Sequence, residues 1–168
     1  RGAGKSQPYA ETTQNSTDDL VNDLEKIRKH LKIKKWLIFG GSWGSTLGLV
    51  YGINFPQYCE GFILRGIFLG TVNEIKWFLY DMQKFFPEAH SKFIDAIPFS
   101  DRKNILNWYH KKLKSKDEKV LYKTASEWNK YESSCSTLRY EERNNSGYES
   151  LAIAKIETHY FVNNCLKN

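Results

Sequence analysis

Cysteine is scarce in this sequence, and its residues lie far apart. The chain has three, namely Cys59, Cys135 and Cys165. An odd number at such distances argues against a disulfide framework and against a clustered metal site. We therefore expect no bound metal and a reducing compartment such as the cytoplasm.

Long apolar runs are missing as well. No run of apolar residues approaches the length of a membrane-spanning helix, and no secretory signal peptide opens the chain. These absences predict a soluble intracellular protein without a membrane partner.

The sequence also lacks a nucleic-acid-binding motif. Its formal net charge is +6, but the lysines within 26–35 and 111–114 alternate with other residue types along predicted helices. Such alternation is typical of a solvated helix face, and no arginine-rich arm accompanies it. We expect no nucleic-acid partner.

What the sequence does contain is enough apolar material for a packed core. Of its 168 residues, 40% are hydrophobic and 15% are aromatic, and no internal repeat is evident. This composition suffices for a globular chain of ordinary domain size.

The centre of the chain combines a short apolar run, a glycine-rich turn and a helical pattern. Residues 36–39 are apolar on both faces, which predicts a buried parallel strand. Gly40, Ser42 and Gly44 then form the pattern G-x-S-x-G, and apolar residues resume at helical spacing. This is the context of a nucleophile elbow, in which the serine occupies the apex of a strained strand-to-helix turn. The N–H of Trp43 would begin the helix and donate to an oxyanion.

A simpler interpretation of this stretch is a Gly/Ser-rich turn without chemistry. A short pattern with so few fixed positions also occurs by chance. The strand pattern before it and the helical pattern after it favour the elbow.

The chain opens with a motif that suggests a different function. Gly4, Lys5 and Ser6 resemble the end of a phosphate-binding P-loop. Such a loop also needs a preceding strand, an earlier glycine and a following amphipathic helix, whereas residues 7–15 are polar and aperiodic. A P-loop nucleotide binder is therefore the weaker alternative, and we expect no cofactor.

The rest of the pattern divides into two parts. A helix capped near Ser16, the elbow helix and a second strand over 61–66 predict a doubly wound α/β arrangement. After Gly70 the pattern predicts only helices. They are expected over 73–86, in a stretch to 97, and over 100–113, 116–131 and 148–163, with a flexible link at 133–147.

Five blocks of residues are more specific than the G-x-S-x-G pattern alone. They are R-G-x-G-x-S-x-P at 1–8, G-G-S-W-G-S-T-L at 40–47, L-R-G-I-F at 64–68, F-F-P at 85–87 and I-E-x-H-Y-F at 156–161. In this order they resemble the proline iminopeptidases, also called prolyl aminopeptidases. The resemblance implies an α/β-hydrolase fold, with a partial core and nucleophile elbow at 1–70 and an α-helical cap at 71–168. It also implies release of N-terminal proline from peptides with a free N-terminus.

The resemblance further implies roles for residues of the core. Ser42 would be the catalytic nucleophile that forms an acyl-enzyme, and the Trp43 amide would be half of the oxyanion hole. Phe68 would line the proline pocket, and Arg65 would orient the site. Without the resemblance, Arg65 would be an ordinary strand-end charge and Phe68 a core residue.

Two acids of the cap also match the family. The resemblance implies that Glu132 and Glu157 hold the free α-amino group of the substrate. Carboxylates suit this role because a buried ammonium needs paired negative charge. Taken alone, both acids would be solvated helix residues.

Parts of the family pattern are not found in this sequence. The family has His-Gly-Gly-Pro-Gly before the first block, and in this fold the triad Asp and His follow the cap. His159 lies two residues from Glu157, a spacing at which helix side chains do not face each other, so we expect a structural role for it. Phe78 stands where the family commonly has tyrosine, which removes a possible hydroxyl contact.

These departures predict a catalytically incomplete serine peptidase. The alternative is a non-catalytic α/β-hydrolase-like binding or structural fragment. The sequence leaves the oligomeric state open.

Overall fold

The computed structural model describes residues 1–137 and 146–166. The chain forms two compact units. The helical unit comprises Arg1–Thr13 and Ile75–Val162, and the sheet unit comprises Gln14–Glu74 and Asn163–Asn168. The assignment of 1–70 to a hydrolase core and of 71–168 to a cap stays a prediction.

The sheet unit begins with helix α1 (Thr17–His30), as the sequence predicts. Ser16 caps this helix. Its Oγ accepts the Asp19 N–H at 3.2 Å, and the Asp19 carboxylate accepts the Ser16 N–H at 2.9 Å. This capping box satisfies backbone donors that have no partner within the helix. Basic residues fill the last turn, where the helix dipole favours positive charge.

Two parallel strands follow, and the elbow helix connects them. Strand β1 (Trp36–Gly41) pairs with strand β2 (Cys59–Arg65). Helix α2 (Trp43–Asn54) makes the crossover, and a 3₁₀ turn (Pro56–Tyr58) leads into β2. The predicted order of strand, helix and strand is confirmed.

Within the described residues one face of this sheet is exposed, so the predicted burial of β1 on both faces is not seen in this chain. Leu37 and Phe39 on β1 are 55% and 70% exposed, and Ile63 on β2 is 51% exposed. On the opposite face, glycines of α2 lie close to the side chains of Ile38 and Phe62. Successive strand residues point to opposite faces, and the described residues of the sheet unit cover only the face under α2.

A buried ion pair ties α1 to the rest of the sheet unit. The Arg28 guanidinium donates to the Glu25 carboxylate at 2.7 and 2.9 Å, and the Tyr51 hydroxyl of α2 donates to the same carboxylate at 2.9 Å. The guanidinium also lies 3.6 Å from the centre of the Tyr58 ring. The hydrogen bonds from Arg28 lower the pKa of Glu25 to about 2, although burial acts in the opposite direction.

The described chain beyond β2 is helical, as predicted. Helix α3 (Val72–Lys76) continues into a π-helical turn (Trp77–Asp81) and a 3₁₀ turn (Met82–Lys84). The further elements are α4 (Pro87–Asp95), a 3₁₀ segment (Phe99–Asn104), α5 (Ile105–Lys112), α6 (Glu118–Ser136) and α7 (Gly147–Val162).

The prediction of a flexible link over 133–147 is wrong at both ends of that range. Helix α6 runs to Ser136, and α7 begins at Gly147. The middle of the predicted link, 138–145, lies outside the described residues. Hydroxyls at the end of α6 donate to carbonyls one turn earlier. The serines that suggest a loop in the sequence are thus satisfied on the helix itself.

Aromatic rings form the core of the helical unit. The Phe93 ring stacks on the rings of Tyr109 and Tyr131, with ring centres 4.6 and 4.1 Å apart. Trp128 is fully buried and meets Phe93 edge to face at 5.7 Å. Helices α4, α5 and α6 therefore share one aromatic core.

The helix predicted over 73–86 is continuous, but its hydrogen-bonding pattern changes from α-helical to π-helical and then to 3₁₀. The Tyr131 hydroxyl donates to the Phe78 carbonyl at 2.7 Å, and His90 Nε2 lies 3.0 Å from the Leu79 carbonyl. Because a carbonyl only accepts, His90 carries a proton on Nε2. Side chains of α4 and α6 thus bind backbone carbonyls of the π-helical turn.

The segment that resembles a P-loop has a different structure. Residues 1–15 contain neither helix nor strand, so Gly4, Lys5 and Ser6 do not lead into the helix that a P-loop needs. The segment packs on α7 instead. The Tyr9 ring stacks on the Tyr148 ring at 4.7 Å, and the Tyr9 hydroxyl donates to the Tyr148 carbonyl at 2.8 Å.

Candidate active site

Ser42 occupies the turn between β1 and α2 in a conformation that is rare for a residue with a side chain. Its φ is 52° and its ψ is −123°, and its side chain is exposed. Two backbone hydrogen bonds hold this turn. The Ser42 N–H donates to the Arg65 carbonyl at 3.1 Å, and the Ser42 carbonyl accepts the Ser45 N–H at 2.8 Å. This is the strained, outward-facing geometry that a nucleophile elbow requires.

The turn contains Gly40 and Gly44, and a steric reason requires glycine at position 40. A Cβ on Gly40 would overlap the carbonyl group of Gly44, lying 2.6 Å from its carbon and 3.0 Å from the Ser45 nitrogen. A Cβ on Gly44 would meet no described atom within 4 Å. Close backbone passage therefore explains Gly40, and the described residues do not explain Gly44.

Trp43 is the first residue of α2, so its amide lies at the positive end of the helix dipole. No acidic side chain lies in the first turn of α2 to offset this potential. A negative oxygen that forms at the Ser42 side chain would therefore be stabilised by this helix end.

Arg65 and Phe68 lie where the sheet ends. Arg65 is the last residue of β2 and pairs with Gly41 of β1. Its side chain covers that glycine so closely that a Cβ there would lie 3.1 Å from the Arg65 Nε. Phe68 follows in an irregular segment. Because the strands are parallel, Ser42, Arg65 and Phe68 meet at their carboxyl ends, the edge at which such folds bind ligands.

Glu132 and Glu157 lie together in the helical unit, on α6 and α7. The Trp128 Nε1–H donates to Glu157 Oε2 at 2.6 Å. Burial raises the pKa of both carboxyls, and the charge of Glu132 raises the pKa of Glu157 further. The Trp128 hydrogen bond acts in the opposite direction on Glu157. A cation between these carboxylates would relieve their repulsion.

The three histidines that follow Ser42 in the chain all lie in the helical unit. His90 is buried on α4, and His159 lies on α7 beside Glu157 in sequence. His110 on α5 lies 3.5 Å from the Thr158 hydroxyl, and burial lowers its pKa, with smaller contributions from nearby positive groups. The structural role expected for His159 stays a prediction.

The structure also bears on the cysteines, on metal binding and on membrane-spanning helices. Cys59, Cys135 and Cys165 are free thiols. Within 1–137 and 146–166, no three side chains of His, Cys, Asp or Glu are grouped as metal ligands. No helix in that part of the chain is both long and apolar enough to cross a membrane.

Comparison with known families agrees with this geometry. The sequence matches the family model described as alpha/beta hydrolase fold over residues 1–161. The chain belongs to the α/β-hydrolase family. This membership confirms the predicted fold class, since the two-stranded sheet and its elbow are part of that fold.

Curated members of the family carry a more specific name. A proline iminopeptidase of Arabidopsis thaliana is 47% identical over 97% of this chain and 44% of its own length. A probable proline iminopeptidase of Leptolyngbya boryana is 44% identical over 97% of this chain and 52% of its own length. A proline iminopeptidase of Neisseria meningitidis serogroup B is 44% identical, with shares of 97% and 53%. The chain thus spans about half the length of these relatives, and the resemblance found in its sequence blocks is confirmed.

Sequence reasoning missed three residues that contact the candidate site. Trp128 binds Glu157, while Ser45 and Thr46 bind the backbone of Phe68. For Ser45 and Thr46 the sequence did contain a sign, namely two adjacent hydroxyl side chains near the start of an otherwise apolar helix. The Trp128 contact joins two distant helices, so the sequence carries no local sign of it.

Proposed function

We propose that the protein carrying this chain is a serine aminopeptidase that releases N-terminal proline from peptides. The observation that carries the proposal is the conformation of Ser42 at the strand-to-helix turn, together with the names of the relatives. Residues 1–70 would belong to the hydrolase core and residues 71–168 to the helical cap. The three free cysteines support a reducing, cytoplasmic location.

The reaction would proceed by acyl transfer. Ser42 Oγ attacks the carbonyl carbon of the N-terminal proline residue, and its proton passes to the departing amine of the next residue. The negative oxygen that forms accepts a hydrogen bond from the Trp43 amide. Water then attacks the ester carbon. The ester bond to Ser42 Oγ breaks, a proton from that water passes to Ser42 Oγ, and proline is released. The general base is not assigned to any residue of this chain.

Recognition of the substrate would use two further groups of side chains. Phe68 provides an apolar surface for the pyrrolidine ring, and Arg65 orients the site. Glu132 and Glu157 bind the free α-amino group, because a buried ammonium needs paired negative charge. The raised pKa values of these carboxyls support this role, since a bound cation would offset their repulsion.

The proposal is tested by turnover of a proline arylamide in a full-length protein that carries this chain. Wild type should release the arylamine, and Ser42→Ala should reduce kcat by about six orders of magnitude. Circular dichroism shows whether the variant is folded. Absence of turnover in wild type would favour the alternative, a non-catalytic binding or structural relative.

A further inference from the structure

The segment that carries Phe68 is not held by the sheet. Strand β2 ends at Arg65, and the following residues include Gly66 and Gly70 with φ values of 50° and 69°. The neighbouring side chains of Ile67 and Leu69 are 62% and 43% exposed. The ladder hydrogen bonds that fix a strand residue therefore end before Phe68.

Two hydroxyls of α2 bind the backbone of Phe68 instead. Ser45 Oγ accepts the Phe68 N–H at 3.0 Å, and Thr46 Oγ1 donates to the Phe68 carbonyl at 2.5 Å. Ser45 Oγ also lies 2.6 Å from the Ser42 carbonyl and 3.1 Å from the Phe68 carbonyl, so its proton can be donated to either. Both backbone polar groups of Phe68 thus contact side chains of the elbow helix.

These hydroxyls are buried, with Ser45 fully inaccessible and Thr46 2% exposed. A buried hydroxyl is costly unless it is hydrogen-bonded, and within a helix it usually bonds to the carbonyl of the preceding turn. Thr46 bonds outside its helix, to Phe68. Ser45 bonds both to the preceding turn, at Ser42, and to Phe68.

We propose that Ser45 and Thr46 are positioning residues, which set the place of Phe68 relative to Ser42 and thereby the fit of an N-terminal proline. This inference rests on the proposed function, since it assumes that Phe68 contacts the proline ring. The physical reason is that one helical turn binds both the backbone of Ser42 and the backbone of Phe68. Displacement of a substrate-contacting group by about 1 Å can cost on the order of a hundredfold in rate.

The test uses Thr46→Val, which removes the hydroxyl and keeps the shape of the side chain. In a full-length protein that carries this chain, we expect KM for a proline arylamide to rise about tenfold, the effect of one lost hydrogen bond. The kcat/KM for a small acetate ester, which needs no proline pocket, should change less than twofold. Thr46→Ser keeps the hydroxyl and should restore the low KM.

Thr124→Val is the matched control. Thr124 is also buried, but its Oγ1 donates to the Val120 carbonyl within α6 at 2.7 Å. This variant should leave the ratio of the two substrates unchanged. Equal loss of both activities in Thr46→Val, or an unchanged ratio, would overturn the positioning role.

Amide hydrogen exchange at Phe68 supplies a readout that does not depend on catalysis. Ser45→Ala removes the acceptor of the Phe68 N–H, so exchange of that amide should accelerate at least about tenfold, while amides in the middle of α2 keep their rates. Unchanged exchange at Phe68 would contradict the inference. The Phe68 amide could exchange faster in Ser45→Ala although the full-length protein does not cleave the proline arylamide. That result would refute the proposed function but would still support the contact between Ser45 and Phe68.

Discussion

At the scale of single residues, Ser42 and Ser45 differ most clearly in their exposure. Both are serines of the same G-S-W-G-S block. Ser42 is exposed at positive φ, whereas Ser45 is fully buried and its hydroxyl is engaged by Ser42 and Phe68. A nucleophile must be reachable, so only Ser42 has the geometry for covalent chemistry.

A serine-directed phosphonate probe should therefore label Ser42 and not Ser45 in the full-length protein. The physical reason is that the probe needs an exposed hydroxyl beside an oxyanion donor. Mass spectrometry of the labelled peptide locates the adduct, and Ser42→Ala serves as the control. An adduct on Ser45 would show that the assignment of the nucleophile is wrong.

The second feature at the residue scale is the pair of carboxyl side chains of Glu132 and Glu157. Glu157→Gln keeps the size of the side chain and removes one charge, so binding of a substrate ammonium should weaken by roughly 2–4 kcal/mol. Cleavage of the proline arylamide should fall accordingly, while hydrolysis of an uncharged ester should not change. Glu127→Gln is the control, since Glu127 also lies on α6 and approaches Lys130 at 4.0 Å. An equal loss for both substrates would contradict the role in amine binding.

The same pair predicts a pH dependence with a defined sign. Burial raises the pKa of both Glu132 and Glu157 above the ordinary value of 4.5. As the pH falls through these raised values, the carboxylates take up protons and lose their attraction for an ammonium. KM for the proline arylamide should therefore rise on the acid side at a pH well above 4.5. Trp128→Phe removes a bond that lowers the pKa of Glu157, so it should move this rise to higher pH, whereas Trp108→Phe should not.

At the scale of elements, α1 is attached to the sheet unit through the buried pair of Glu25 and Arg28. The carboxylate accepts hydrogen bonds from Arg28 and from Tyr51 of α2. Removal of Glu25 would leave a buried guanidinium without its carboxylate, which is more costly than loss of an exposed pair.

Glu25→Gln should therefore lower the thermal midpoint of the sheet unit much more than Asp23→Asn does. Asp23 is on the same helix and lies 3.7 Å from Lys26 in a largely exposed pair. The pKa of Glu25 is lowered to about 2, so its stabilising effect is present above the ordinary value of 4.5 and is lost as the pH falls towards 2. Thermal melts of wild type and Glu25→Gln between pH 2 and pH 7 measure this difference. Equal midpoints for the two variants at pH 7 would contradict the role of the pair.

At the scale of the whole molecule, the 168 residues span about half the length of the relatives. The described part of the sheet unit contains Ser42 but one histidine only, His30 at the end of α1. In this fold the triad histidine comes after the acid and late in the chain.

The 168-residue chain by itself should therefore not cleave a proline arylamide above background. Loss of triad members lowers the rate by several orders of magnitude, even where binding persists. The assay compares the chain with its Ser42→Ala variant and with a full-length protein that carries the sequence. Turnover by the chain that Ser42→Ala abolishes would show that this expectation is wrong.

Local sequence determined much of this molecule by itself. The helix start near Ser16, the parallel strand pair and the turn at Ser42 were all predictable, because cap residues, apolar runs and glycine positions act over a few neighbouring residues. The family blocks likewise pointed to the α/β-hydrolase fold, which the comparison confirms.

Tertiary structure alone decided the features that depend on distant contacts. Periodicity does not show which strand face is covered, so the exposure of Phe39 could not be derived from it. The hydroxyl of Tyr131, on another helix, binds a carbonyl of the π-helical turn, and the bond from Trp128 to Glu157 joins α6 to α7. Ser45 and Thr46 bind Phe68 from 22 or more positions away. Such contacts form only after the elements have packed, because the chain between them carries no local preference for the pairing.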